Sequence, residues 1–319
     1  MAHEVEQILY VGETPWHGLG TRFITPPTLD EAIVAAGLDW KVTTEPVFSA
    51  GQEKLPALLT RRSSDGSILG VVGPTYEPLQ NLKAFDFFKP FIESGEAAIE
   101  TAGSLRMGKR VFVLAKLNLD PMDIVKGDSV EKYVLLSNSH DGTLAVRVGF
   151  TPVRVVCANT MAMALGDSAS KLIRVRHTKN VADNLELIRE TMNLANQQFE
   201  ATAEQFRMLA AKNINQADLE KYIKLVFNSN KKIIEAEGDT SSLNNKRIIN
   251  AIQPLFEKGL GNDLPGVKGT LWGAYNAANE YLQYYRGDDA QVRLDQMWFG
   301  QSAALNKRAL EVAVMMAAA

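Results

Sequence analysis

The period of the hydrophobic pattern changes once along this chain, near residue 180, and that change limits the folds open to it. Before it, short runs of alternating apolar residues are separated by turns rich in Gly, Asp and Ser, the pattern of half-buried strands. After it, Leu185, Ile188, Met192, Ala195, Phe199, Phe206 and Leu209 recur at three- and four-residue spacings, with Thr202 breaking the seam once. That is the face of a long amphipathic helix with a near-heptad repeat, which could pack on its own domain or on a second subunit. The chain is therefore expected to be α+β: an antiparallel β-meander core with flanking helices over residues 1–180, then an all-helical region over residues 181–319.

Local signals place the elements. Residues 1–27 read as a loop-rich arm. Thr28 followed by Glu31 forms a capping box and Gly37 closes the helix, because both residues supply partners to open N–H groups. Trp40–Val47 reads as a strand, Leu55–Arg62 and Ser67–Gly73 as a hairpin, and Leu82–Ser94 as a helix capped by Asn81. Ala98–Ser104 with Arg110–Leu117, and Lys132–Ser137 with Thr143–Phe150, form two more hairpins, the latter turned by His140-Asp-Gly142. Val153–Val156 is a short strand feeding a helix from Cys157 to Leu165. Later helices are expected at Gln216–Phe227, Asn244–Glu257, Thr270–Tyr285 and Ser302–Met316, with a polar loop at Glu235–Ser242.

Composition narrows the functional classes. No apolar run reaches membrane-spanning length, and the start Met-Ala-His-Glu-Val-Glu lacks the basic-then-apolar order of a secretory signal. One cysteine, Cys157, excludes an intramolecular disulfide and fits a reducing cytoplasm. Four histidines and one cysteine leave little material for structural zinc, and no cofactor motif is visible. The net charge of −3 means that any nucleic acid must be bound by local basic patches.

Two catalytic readings fail on chemistry. Gly261-Asn-Asp-Leu-Pro-Gly266-Val-Lys268-Gly-Thr270 has the glycines of a phosphate loop, but Val267 and Gly269 displace the lysine and the hydroxyl. These glycines read as a turn before the Thr270 helix. Cys157, His140 and Asn159 have the residue types of a thiol hydrolase. A free cysteine is more often a small buried residue, and Asp141-Gly142 accounts for the His140 turn without catalysis. Trp16 and His17, in the Pro/Gly-rich stretch Pro15–Gly20, read as an arm docked by its tryptophan on the core or, alternatively, as a contact with a neighbouring subunit.

The basic residues are the more informative set. Lys171, Arg174, Arg176 and Lys179 bring four positive charges within nine acid-free residues. Arg106, Lys109 and Arg110 cluster at one hairpin, Arg61 and Arg62 end a strand, and Arg147 and Arg154 lie on what read as adjoining strands. A solvated face explains any one cluster. Together they suit a phosphate-binding groove, since Arg and Lys neutralise backbone charge without reading sequence. The expected nucleic-acid contacts are Arg106, Lys109, Arg110, Arg147, Arg154, Arg174, Arg176 and Lys179.

Four motifs, Pro15–Gly20, Glu100-Thr-Ala-Gly-Ser104, Asn138-Ser-His-Asp-Gly142 and Arg154–Thr160, resemble those of the phage/plasmid-like proteins, a family defined by a domain of unknown function. At fold level the helix, strand, hairpin and Leu82 helix also resemble the core of single-strand annealing proteins, the Rad-type annealases and the phage Red-beta, RecT and Erf proteins. That resemblance implies a cofactor-free, cytoplasmic protein that binds single-stranded DNA, anneals strands in recombination, self-assembles and has a phage or host replication or recombination protein as partner. The competing readings are a non-catalytic phage or plasmid factor that binds another protein, and a hydrolase using Cys157.

Overall fold

A computed structural model describes residues 5–12, 20–154, 159–160, 173–175, 199–227 and 243–319. The chain is of mixed α/β type, with strands in its N-terminal part and helices in its C-terminal part. It divides into two compact units, one formed by Met1–Leu119, Lys132–Thr151 and Asp167–Asn196, the other by Asp120–Glu131, Pro152–Gly166 and Gln197–Ala319.

One large sheet contains β1 (Val5–Val11), β2 (Thr21–Phe23), β6 (Ala97–Leu105), β7 (Arg110–Leu117), β9 (Asp128–Ser139) and β10 (Val146–Arg154). Its strand order is β11-β10-β9-β7-β6-β1-β2, with β11 at Asn159–Thr160. Two short strands join it from the side, β8 (Met122–Val125) on β9 and β12 (Ile173–Val175) on β10. The expected hairpins are present, but the sheet has mixed strand orientation. β1 pairs antiparallel with β6 and parallel with β2. The supposed loop-rich arm thus supplies two strands. Gly103 permits this pairing, because a Cβ there would lie 2.5 Å from the Gln7 carbonyl oxygen.

β7 is a nearly continuous apolar run because both of its faces are covered. Val111 and Val113 on one face, and Phe112 on the other, are all fully buried. Helices α1 (Leu29–Ala35), α2 (Asn81–Asp86) and α3 (Lys89–Glu93) pack on β1, β6 and β7. The Thr28–Glu31 capping box forms as expected. The single helix expected over Leu82–Ser94 is broken into α2 and α3. Pro90 has no N–H to donate to the Asp86 carbonyl four residues earlier, so the helical ladder cannot run through it.

A second sheet of three strands, β3 (Val42–Phe48), β4 (Lys54–Arg62) and β5 (Ile68–Val72), is antiparallel throughout. The helix expected from Cys157 is not seen at Asn159–Thr160, where the chain is extended and pairs with Arg154 and Val153. The rest of that expected helix lies outside the described residues.

The second unit is built around α7 (Leu271–Glu280), every residue of which is buried. Its neighbours are α5 (Gln216–Phe227), α6 (Leu243–Lys258) and α9 (Gln301–Ala318). A π-helical turn at Tyr281–Tyr285 and α8 (Ala290–Phe299), which the sequence reading missed, connect α7 to α9. Helix α4 spans residues 199–211 and buries Phe199, Ala203, Phe206 and Leu209. The Phe206 ring lies 4.6 Å from that of Trp272, tilted by 36°, and stacks 6.1 Å from that of Tyr275. This end of the near-heptad seam therefore packs inside its own unit, and Leu185–Ala195 lie outside the described residues. The hairpin of β8 with the start of β9 also belongs here. Arg207 Nε donates to the Asp123 carbonyl at 2.9 Å, and Trp272 Nε1 donates to the buried Asp128 carboxylate at 2.7 Å. Among the described residues no helix is long and apolar enough to cross a membrane.

Candidate nucleic-acid interface

The β6–β7 turn gathers basic residues around a buried tryptophan. Trp40 is 5% exposed and is fixed by its Nε1 donating to the Gly37 carbonyl at 2.8 Å. The Arg62 guanidinium lies over its ring, 4.8 Å from the centroid, a cation–π contact. Arg62 also donates from Nε to Ser64 Oγ at 2.9 Å and sits 4.0 Å from Asp65. Gly108, at the turn, rests on the same ring, since a Cβ there would be 3.2 Å from Trp40 Cζ2 and 3.5 Å from Arg62 Nη1. The turn carrying Arg106 and Lys109 is thereby brought to Arg62, although the two hairpins are far apart in sequence.

The backbone of this turn is unusual. Arg106, Met107 and Gly108 have φ of 53°, 54° and 80°. These are three successive left-handed residues in the four-residue connection between the paired Leu105 and Arg110, a conformation that favours Gly or Asn. Holding Arg106 and Met107 there costs about 1–2 kcal/mol each, from the clash of Cβ with the following carbonyl. The cost is sustained by anchors on both sides: Lys109 N donates to the Arg106 carbonyl at 3.3 Å, and His140 N to the Lys109 carbonyl at 2.8 Å. Arg106 and Lys109 are half-buried, and Met107 stands 51% exposed between them.

His140 is the pin beneath the corner. It is fully buried and meets Trp40 edge-on, with ring centroids 5.4 Å apart. Its Nε2 is hydrogen-bonded to Asn81 Oδ1 at 2.9 Å, and its carbonyl accepts from Thr60 Oγ1 at 2.7 Å. Asn81 does not cap α2, whose N-cap is Gln80. Instead its amide donates to the Leu38 and Trp40 carbonyls at 3.1 and 3.4 Å. The Asp141 carboxylate accepts from Thr143 N and Oγ1 at 2.9 and 2.6 Å, closing an Asx turn. Asn138–Gly142 thus anchors this corner, with the His140 ring held between Trp40 and Asn81. Cys157, Trp16 and His17 lie outside the described residues.

The other expected contacts separate. Arg110 is 7% exposed on central β7, which removes it from any solvent-facing set. Its strand is covered on both faces, and alternation alone did not reveal this. Arg147 and Arg154 lie on one strand, β10, rather than on adjoining strands. Arg147 pairs in register with Arg174 on β12. Arg176 and Lys179 lie outside the described residues. Arg61 is engaged by Glu45, 2.6 Å away, and by the Gly66 carbonyl. The hydrogen bond from Arg61, ahead of its Coulombic attraction, holds the Glu45 carboxyl below its ordinary range. Trp40 and Met107 were missed as members of a site, and Arg62 was read only as one of a basic pair at a strand end. The one local clue was Arg-Met-Gly where a tight hairpin favours Asn-Gly.

The glycine-rich stretch before α7 is closed to phosphate. Leu271 N donates to the Lys212 carbonyl at 2.9 Å and Gly273 N to Thr270 Oγ1 at 3.1 Å. Two of the N–H groups that a phosphate would need at this helix start are already occupied.

The fold and this corner define a mixed α/β protein with a helical unit and a basic turn built on Trp40. The chain belongs to the family described as Domain of unknown function (DUF932), whose model matches residues 68–310. That span includes the Arg106–Lys109 turn and the His140 pin. Comparison with curated proteins found no match, and comparison with solved structures found none.

Proposed function

We propose that this protein binds single-stranded DNA through its phosphates at the Arg62–Arg106–Lys109 corner and acts in strand annealing during phage or plasmid recombination in the host cytoplasm. The observation that supports the reading is the placing of Arg106 and Lys109 on one turn that rests on Trp40, with the largely buried Arg62 guanidinium packed on the same ring. A rigid cluster of guanidinium and ammonium donors positions a phosphate backbone without selecting bases. The annealing step rests on the resemblance of the helix-and-hairpin order to annealing proteins, and it requires self-assembly along the strand.

The test is fluorescence anisotropy of a labelled single strand over a range of salt. Binding should weaken with salt, with a log–log slope of about −0.7 per phosphate contact. Arg106→Ala with Lys109→Ala should weaken binding to all sequences alike and flatten that slope. No binding by the wild-type protein at low salt overturns the proposal.

A second reading, a protein-binding factor, is favoured by the outer face of the three-stranded sheet. Leu59 pairs with Val71, and Arg61 with Ile68, placing them along one face. Ile68 and Val71 are 54% and 59% exposed. Exposed aliphatic side chains on one sheet face suit a protein partner.

A further inference from the structure

We propose that Met107 is a wedge that enters between adjacent bases of a bound single strand while Arg106 and Lys109 hold the flanking phosphates. This deepens the DNA-binding reading and rests on it. Phosphate binding alone explains the two cations but leaves the residue between them unexplained. A hairpin that had only to present cations would be most stable with Asn or Gly at Met107, whose φ is 54°. The chain instead places an unbranched apolar side chain in a costly conformation, at the outermost point of the turn, half exposed to solvent. Backbone strain of this kind persists only where the surroundings impose it, and it gathers at sites that grip ligands. Here the surroundings are explicit: Gly108 on the Trp40 ring, the Arg106–Lys109 turn bond, and His140 N on the Lys109 carbonyl. Methionine is among the apolar side chains that proteins insert between base steps, and a cation on either side neutralises the phosphates that must spread apart. Its thioether is polarizable and favours aromatic faces, so both separated bases gain a contact. A strand held this way has locally unstacked bases, the state in which pairing with a complement can begin.

The experiment uses the full-length protein and a single-stranded oligonucleotide carrying 2-aminopurine, whose emission is quenched by stacking. Emission should rise when wild-type protein binds. Met107→Gly should bind more weakly and abolish the rise while keeping the salt slope set by Arg106 and Lys109. Met107→Leu should keep the rise. Because glycine tolerates the left-handed backbone, Met107→Gly should melt at or above the wild-type temperature. A lower melting temperature would mean that the side chain is part of the packed fold and would refute the wedge. Wild-type binding without a rise, or a rise that persists in Met107→Gly, also overturns it and leaves the phosphate reading intact. Absence of wild-type binding overturns both.

Discussion

Replacing Asn81 by Ala tests whether the corner under the β6–β7 turn is held by one side chain. Asn81 is 1% exposed and joins three backbone or ring groups: Leu38 O, Trp40 O and His140 Nε2. The bond to Trp40 O, at 3.4 Å, is long and contributes little. The other two, at 3.1 and 2.9 Å, end on residues that are themselves fully buried. Alanine cannot replace either partner, and each buried group left behind costs about 1–3 kcal/mol. Water entering the vacated volume would recover part of this, so the expected loss is about 2–4 kcal/mol. For a domain of this size that is a fall of roughly 4–16 °C in Tm. The assay is urea denaturation followed by tryptophan emission, comparing midpoints at constant slope. Thr60→Val, which removes the hydroxyl donated to the His140 carbonyl, should cost about 1 kcal/mol. The double variant should be less destabilised than the sum, because both changes loosen the same histidine. A loss below about 0.5 kcal/mol for Asn81→Ala would refute the pin, since that is the ordinary scatter of surface substitutions.

Three further outcomes follow from the same geometry. Burial raises the phenol of Tyr76, helped by the nearby Asp141 charge, and burial raises that of Tyr222 well above its ordinary value. A raised folded pKa keeps its full stabilisation below the unfolded value of about 10 and loses it as pH climbs further. Stability against denaturant should therefore fall above that pH, and less steeply in Tyr76→Phe. At the acid end, the Thr28 backbone N–H and hydroxyl hold the Glu31 carboxyl below its ordinary range. Its contribution is present above the unfolded pKa and disappears as pH falls, so Glu31→Gln should flatten the acid limb of the same profile. Trp272→Phe removes the donor to the buried Asp128 carboxylate and should destabilise by about 1.5–3 kcal/mol, the worth of a hydrogen bond to a charged group, measured as a shift in the urea midpoint.

Element type was legible locally, and partnership was not. Helix Gln216–Phe227 and the capping box at Thr28 follow from residue spacing over a few turns, because the 3.6-residue period and the capping geometry are properties of neighbouring residues. The hairpin strands β4 with β5 and β6 with β7 follow for the same reason. Arg106 and Lys109 were legible as a basic turn, since their cluster is contiguous. What tertiary structure decided is everything that depends on a distant partner. Val5–Val11 becomes a strand because β6 offers it an edge far along the chain. Arg110, on a strand covered on both faces, is buried, whereas Arg106, only four residues earlier, remains half-buried at the turn. Asn81, which could have capped a helix, is drawn to His140 instead. Trp40, Arg62 and Gly108 meet only once the two hairpins have folded. The physical reason is that periodicity records which side of an element is apolar, while the choice of what covers that side is made by packing between segments that share no local sequence.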